Sequence, residues 1–196
     1  MTESDESSKA LRDRLVDVGA RLVAVEGVQA LTLREIARRA GVSHGAPRRH
    51  FPTHLELLSA IARRGFAELG ERTTAAIGDG TASPRAQLTA LGRAYLEFST
   101  TERGMYELMF RHDLLASGHM GLRDTSLPLF GVFVDLVGRA HPDRDARVTA
   151  GALWANLHGI AQLWSWGSLR LAAGADDIAP LLRAALDAHL GPEEGR

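Results

Sequence analysis

The stretch Thr32-Leu-Arg-Glu-Ile-Ala-Arg-Arg-Ala-Gly-Val-Ser-His-Gly-Ala-Pro-Arg-Arg-His-Phe51 decides the fold. Its spacing predicts two short helices joined by a tight turn. Thr32 and Glu35 form a Thr-x-x-Glu capping box, which starts the first helix. Gly41 ends it, because glycine takes the left-handed conformation at little cost. Ser43 is the expected N-cap of the second helix. Leu33, Ile36, Ala37, Ala40 and Val42 supply an apolar side that packs the two helices together. Arg34, Arg38, Arg39, His44, Arg48 and Arg49 are left outside. Pro47 falls in the first turn of the second helix, where its missing N–H forfeits a single bond; deeper inside it would cost ~3 kcal/mol. Gly45 and Ala46 are small enough to let a duplex approach. Two helices, a tight turn and a basic outer face are the parts of a helix-turn-helix that lays its second helix in a DNA major groove.

The charge around this stretch is asymmetric. Residues 10–64 carry ten arginines against five acids, and residues 65–196 carry 12 against 16. A basic third joined to an acidic remainder suggests one part that meets a polyanion and another that does not. The charge alone also fits arginines covering solvated helix faces. The chain has 196 residues and no cysteine, so it can bury a real core but has no disulfide or thiolate metal site. The segment MTESDESSKALRDRL is polar and acidic and does not read as a signal peptide. The longest apolar run, Leu127 to Val134, is far short of the ~20 residues that span a bilayer. A soluble, cytoplasmic protein with no membrane partner is expected.

Read in order, residues 1–8 form a polar tail, and a helix follows from about Ser8 to Glu26 with Leu11, Leu15, Val18, Leu22 and Val25 on one stripe. After the reader, Pro52 breaks the chain. Thr53 and Glu56 form a second capping box. It opens a long helix to about Ile77 whose buried side carries Leu55, Leu58, Ile61, Phe66 and Leu69. Ser83-Pro84 marks the next start, for a helix over 85–99. A short helix is expected over 104–111, a loop or frayed turn over 112–120, and a helix over 122–140 loosened near Pro128. A long helix over 145–166 is apolar nearly all round, so it must be covered on two sides. A loop near 172–177 and an amphipathic helix over 178–190 complete an all-α chain of about nine helices. The expected domains are the tail 1–8, a three-helix reader over 9–52, and a larger helical domain over 53–192.

The residues Leu33-Arg-Glu-Ile-Ala-Arg-Arg-Ala-Gly-Val-Ser43, followed by Arg-His-Phe-Pro-Thr-His-Leu-Glu-Leu-Leu58, resemble the N-terminal domain of TetR-type transcriptional regulators. The likeness covers roughly residues 10–58. Leu153-Trp154-Ala-Asn-Leu-His158-Gly159, with Glu107-Leu-Met-Phe110, is similar to the C-terminal class marked by a Trp…His-Gly signature. The resemblance implies a homodimer, a small-molecule pocket in the C-terminal domain, and a dimer contact made by the last two helices. It implies DNA contacts from Thr32, Arg34, Ser43, His44, Gly45, Arg48, Arg49, His50, Thr53 and His54. Two positions depart from the family pattern. Arg48 stands where a phosphate-binding tyrosine is usual, and His54 where a lysine is usual. Arg48 could also read a guanine bidentately, worth ~1–3 kcal/mol of discrimination.

Beyond the reader, Met105, Met109, Phe110, Phe130, Phe133, Trp154, His158 and Trp164 are the expected lining of an effector site, since concave aromatic sites between helices take apolar ligands. For each aromatic, plain core packing is the alternative. His158 reads equally as an effector contact or as a core histidine bonded to a neighbouring helix. No second ligand lies one turn away, which argues against a metal. Ala152, Ala155, Gly159, Gln162, Trp166, Leu182 and Leu186 are the expected dimer contacts. The chain has no Gly-x-Ser-x-Gly, no phosphate-cradling glycine loop and no recognisable triad, so it does not read as an enzyme, and no cofactor is expected. The function implied is a ligand-responsive, dimeric DNA-binding regulator, most simply a repressor released from a palindromic operator by a partly apolar effector. The alternative is a helical small-molecule-binding or dimeric scaffold protein whose reader has decayed.

Overall fold

The computed structural model describes residues 3–192, among which every regular element is helical. The helices are α1 (Glu3–Glu26), α2 (Leu33–Arg39), α3 (Ala46–His50), α4 (His54–Ile77), α5 (Pro84–Thr101), α6 (Arg103–Met109), α7 (His112–Ser117), α8 (Leu122–Ala140), α9 (Ala146–Ser165), α10 (Ser168–Ala173) and α11 (Ala179–Leu190). Single 3-10 turns cover Val28–Ala30 and His119–Gly121. Helix α1 begins at Glu3, so most of the expected polar tail is helical, and residues 1 and 2 lie outside the described residues. The segment expected as a loop or frayed turn over 112–120 holds a helix, α7, and α10 fills the stretch between the expected helix over 145–166 and the expected loop near 172–177, overlapping that loop only at its first two residues. Each has only six residues, too few for an apolar period to show. Pro128 sits inside α8 without ending it. None of the helices described is long and apolar enough to cross a membrane.

Two compact units divide the chain. The first joins Met1–Glu68 to Glu102–Ser126, and the second joins Leu69–Thr101 to Leu127–Arg196. The chain passes from one to the other within α4. This partition follows packing, and it keeps α6 and α7 with the helices of the reader.

The core of the first unit is built from Leu15, Leu22 and Val23 of α1, Ile36 and Ala37 of α2, Phe51, and Leu57, Leu58 and Ile61 of α4, all buried. Met105, Leu108 and Met109 of α6 close it. Two glycines allow close approaches to α6. A Cβ at Gly104 would lie 2.2 Å from the Val23 carbonyl oxygen, so only glycine lets α6 start against the α1 backbone. A Cβ at Gly65 would meet the sulfurs of Met105 and Met109.

In the second unit α5, α9 and α11 pack on one another through Leu88, Leu96, Phe98, Leu153, Leu157, Leu182 and Leu186, all buried. The last carbonyls of α11 have no intrahelical partner. Basic side chains take them up: His141 Nε2 donates to the Leu190 carbonyl at 2.5 Å, Arg144 to that of His189 at 2.8 Å, and Arg85 to that of Gly191 at 2.6 Å. Cations at a helix C-terminus also oppose its negative dipole end.

Candidate nucleic-acid interface

The reader is shaped by its caps. The Thr32 hydroxyl accepts the Glu35 N–H at 3.2 Å and opens α2. Gly41, at φ 67°, closes it, with Gly41 N–H donating to the Arg38 carbonyl at 3.2 Å and Val42 N–H to the Ala37 carbonyl at 3.0 Å. Those two bonds make a complete Schellman motif. At the far edge, Thr53 and Glu56 form the full reciprocal box: Glu56 N–H donates to the Thr53 hydroxyl at 3.2 Å and Thr53 N–H to the Glu56 carboxylate at 3.0 Å.

Between these caps the expected Ser43 N-cap is corrected. Helix α3 starts at Ala46, with Gly45 at the cap position and no side-chain capping bond. Ser43 contributes only its carbonyl, which accepts the Ala46 N–H at 3.0 Å. The chain spends residues 43–45 on a turn, and Pro47 then falls in the first two helical positions, where its missing N–H costs nothing. Pro47 and Phe51 point inward and are buried, and Arg12 stacks over the Phe51 ring at 5.1 Å. Arg48 and Arg49 are exposed between them.

Thr32, Arg34, Ser43, His44, Gly45, Arg48, Arg49, Thr53 and His54 are all exposed, and His50 is half-buried. Among the described residues, the side chains of Arg34, Arg48 and Arg49 make no hydrogen bond or ion pair. Arg38 and Arg39 do: both bond Glu35, and Arg39 also bonds Glu26. These arginine bonds pull the Glu35 pKa down to about 2. His54 is engaged as well, its Nε2 lying 2.5 Å from the Leu31 carbonyl. Bonded this way, Nε2 carries the hydrogen, and the neutral ring has only the acceptor Nδ1 left. His54 could donate to a phosphate only as the cation.

The expected effector residues fall in different units. Met105, Met109 and Phe110 belong to the first, where the methionines pack on Gly65 and Phe110 meets Phe66 edge-on at 5.6 Å. Phe130, Phe133, Trp154, His158 and Trp164 belong to the second. Phe133 and Trp164 are buried there, with Arg170 stacked on Trp164 at 4.5 Å. Phe130, Trp154 and His158 form a chain of rings, with centroids 6.2 Å and 5.7 Å apart. Tyr95, in the helix expected over 85–99, has a partner that its sequence context does not signal. The Tyr95 hydroxyl lies 2.8 Å from His158 Nδ1, a pairing across 63 positions that no local pattern signals. Burial holds the His158 pKa below the ordinary histidine value.

Of the expected dimer residues, Ala152, Ala155 and Trp166 are exposed along α9, and Gly159 and Gln162 half-buried. Leu182 and Leu186 are corrected: they are 3% and 1% exposed, buried in the core of their own unit. Leu182 packs close on Gly92 and is therefore not a surface residue. The outward positions of α11 are Pro180, Arg183, Ala184, Asp187 and Ala188.

A one-turn helix that presents unpaired arginines after a glycine-closed turn defines a helix-turn-helix DNA-binding protein. Residues 15–61 match the family model of bacterial regulatory proteins of the tetR family, and residues 88–189 match that of the tetracyclin repressor-like C-terminal domain. The chain belongs to the TetR family and is a DNA-binding transcriptional regulator, in a family of regulators rather than enzymes. It is 27% identical to the HTH-type transcriptional repressor KstR of Mycolicibacterium smegmatis, over 99% of this chain and 95% of that one. Its fold is similar to that of a protein of unknown function from Rhodococcus sp. RHA1, at TM-score 0.78 and 30% identity over 92% of this chain and 93% of the other. It is also similar to the multidrug binding protein EbrR solved with imidazole, at TM-score 0.60 and 26% identity over 94% and 96%.

Proposed function

We propose that the protein is a cytoplasmic homodimeric repressor that places α3 of each subunit in a major groove of a palindromic operator and leaves the DNA when a small, partly apolar effector binds. The observation that carries this is the reader surface: exposed, unpartnered Arg48 and Arg49, held from behind by buried Pro47 and Phe51. The DNA contacts are assigned to Thr32, Arg34, Ser43, His44, Gly45, Arg48, Arg49, His50, Thr53 and His54, within a reader spanning residues 9–52. Residues 53–192 form the effector-binding and dimerisation domain.

The ring chain Phe130–Trp154–His158 supports an effector site in the second unit, and a similar multidrug binding protein solved in complex with imidazole supports binding of a small molecule. The neutral imidazole there suits an uncharged ligand better than a strongly charged one. The α9 face of Val148, Ala152, Ala155, Leu163 and Trp166 supports a dimer contact, because Val148 and Trp166 are 68% and 67% exposed. Two-fold symmetry then requires a two-fold operator. The effector shifts DNA affinity only by its difference in affinity for two arrangements of the readers. Helix α4, running from one compact unit into the other, is the covalent route for that difference.

The test is a gel shift with DNA flanking the gene, repeated as salt rises. Salt-dependent binding is expected, because phosphate contacts release counterions. No binding to any fragment at low salt would overturn the proposal in favour of a scaffold with a decayed reader. Thermal-shift screening of metabolites, followed by loss of the shifted band with the hits, identifies the effector.

A further inference from the structure

We propose that Glu35 is a specificity-determining residue of the reader: it withholds Arg38 and Arg39 from DNA phosphates and so weakens binding to DNA of every sequence. The proposal rests on the DNA-binding function above. A Thr-x-x-Glu box directs the glutamate carboxylate back to the N–H of the threonine. At Thr53 and Glu56 it does so, and at Thr32 and Glu35 it does not. The Thr32 N–H donates instead to the Ala30 carbonyl at 2.8 Å, and only the hydroxyl half of the box is made.

The freed carboxylate turns along α2. Arg38 Nε and Nη2 donate to its two oxygens at 2.9 and 2.6 Å, and Arg39 Nε donates to Oε1 at 2.7 Å. The other end of Arg39 donates to Glu26, at the end of α1, at 2.5 Å. Arg38 is thus held by a two-pronged pair and Arg39 between two carboxylates. The Arg38 side chain is still 64% exposed, within reach of a polyanion, but its charge is already compensated.

A basic side chain gains DNA affinity by displacing a counterion from a phosphate. An arginine that must first leave its carboxylate gains less, and the acid left behind repels the same phosphate. In a complex fixed by base contacts from α3, the place of α2 is set, and a freed Arg38 finds a phosphate only where the register happens to offer one. On DNA of arbitrary sequence the protein can shift to whichever register satisfies it. Withheld charge therefore lowers non-specific binding more than operator binding. The Glu35 carboxylate titrates near 2, so the restraint persists over the whole working pH range and is not a pH switch.

The test compares the parent protein with Glu35→Gln, which keeps the size and the capped N–H but removes the charge. Affinities for the flanking-DNA duplex and for a scrambled duplex are measured from about 50 to about 200 mM salt, with far-UV circular dichroism as the control for folding. For Glu35→Gln, scrambled-duplex binding is expected to tighten. Its salt slope is expected to steepen by about 0.9 for each arginine freed, so that the affinity lost over that range grows about threefold per arginine. The flanking-DNA duplex gains less, and the ratio of the two affinities falls. Arg38→Gln alone leaves the parent slope unchanged, and Glu35→Gln combined with Arg38→Gln returns the slope toward the parent value. An unchanged slope and scrambled-duplex affinity in Glu35→Gln overturns the proposal. So does a slope flattened by about 0.9 in Arg38→Gln, which would make Arg38 a phosphate ligand and stands even if the Glu35 variant does not fold. Loss of all salt-dependent binding in the parent would instead overturn the DNA-binding function itself.

Discussion

The Tyr95 hydroxyl and His158 Nδ1 lie 2.8 Å apart, joining α5 to α9, and the His158 ring sits with its centroid 5.7 Å from that of Trp154. Burial holds the His158 pKa below its ordinary 6.5, so the folded protein keeps the ring neutral. As pH falls through the ordinary histidine range, the unfolded chain takes up the proton first. It then binds more protons than the native state, and stability must rise with pH across that window. The urea midpoint is expected to fall between about pH 7.5 and about pH 5.5, a window set by the reference histidine pKa of about 6.5. His158→Asn, which keeps a hydrogen-bonding group near the Nδ1 position but does not titrate, is expected to flatten that fall. A parent and variant with parallel pH profiles would refute it.

Arg48→Ala and Arg49→Ala are each expected to abolish operator binding while leaving the melting temperature unchanged, since both side chains are exposed and unpartnered. His54→Ala is expected to weaken binding only modestly. Its Nε2 is already engaged by the Leu31 carbonyl, which leaves the ring little to lose at a phosphate. A titration in which neither arginine matters would show that the groove-facing side is assigned wrongly.

The two threonine caps are expected to differ. Thr53→Ala removes one partner of a reciprocal box and disconnects the start of α4, at a cost of about 1 kcal/mol. Thr32→Ala removes a single bond, because the Glu35 carboxylate is engaged elsewhere. Denaturant melts should rank Thr53→Ala as the more destabilised. Equal losses would mean that the reciprocal bond adds nothing.

Trp166→Glu is expected to shift the protein from dimer to monomer in sedimentation and to weaken operator binding by more than tenfold, with little loss of fold. Trp166 is 67% exposed, so a charge there costs the monomer little and a covered interface much. Leu182→Ala, by contrast, is expected to lower the melting temperature as a core truncation. A dimer that survives Trp166→Glu would place the contact on another face.

Much of this was legible in the sequence, for identifiable reasons. Gly41, Thr32 and Thr53 act through neighbours three or four positions away, and such signals survive without a structure. The same holds for the long helices, whose apolar period repeats over several turns. Ser43 misled because a turn of three residues intervenes before α3, and a good capping residue is also a good turn residue. Leu182 and Leu186 were assigned to the interface because an amphipathic stripe looks the same whether it faces its own core or a partner. The pairing of Tyr95 with His158, the diversion of Glu35 to Arg38 and Arg39, and the bond from His54 to Leu31 depend on side-chain direction, which spacing does not encode.

Helix α3 is five residues long, so it has almost no backbone bonding of its own. What keeps it folded is Pro47 and Phe51 on its inner side, while residues 44, 45, 48 and 49 are exposed and carry none of that burden. Anchoring and reading are thus divided between different positions of the turn and the short helix that follows it. The outer positions can drift, through mutation or in a selection library, toward new operators without crossing an unfolded intermediate. A regulator built this way can change which genes it answers for while its fold stays still.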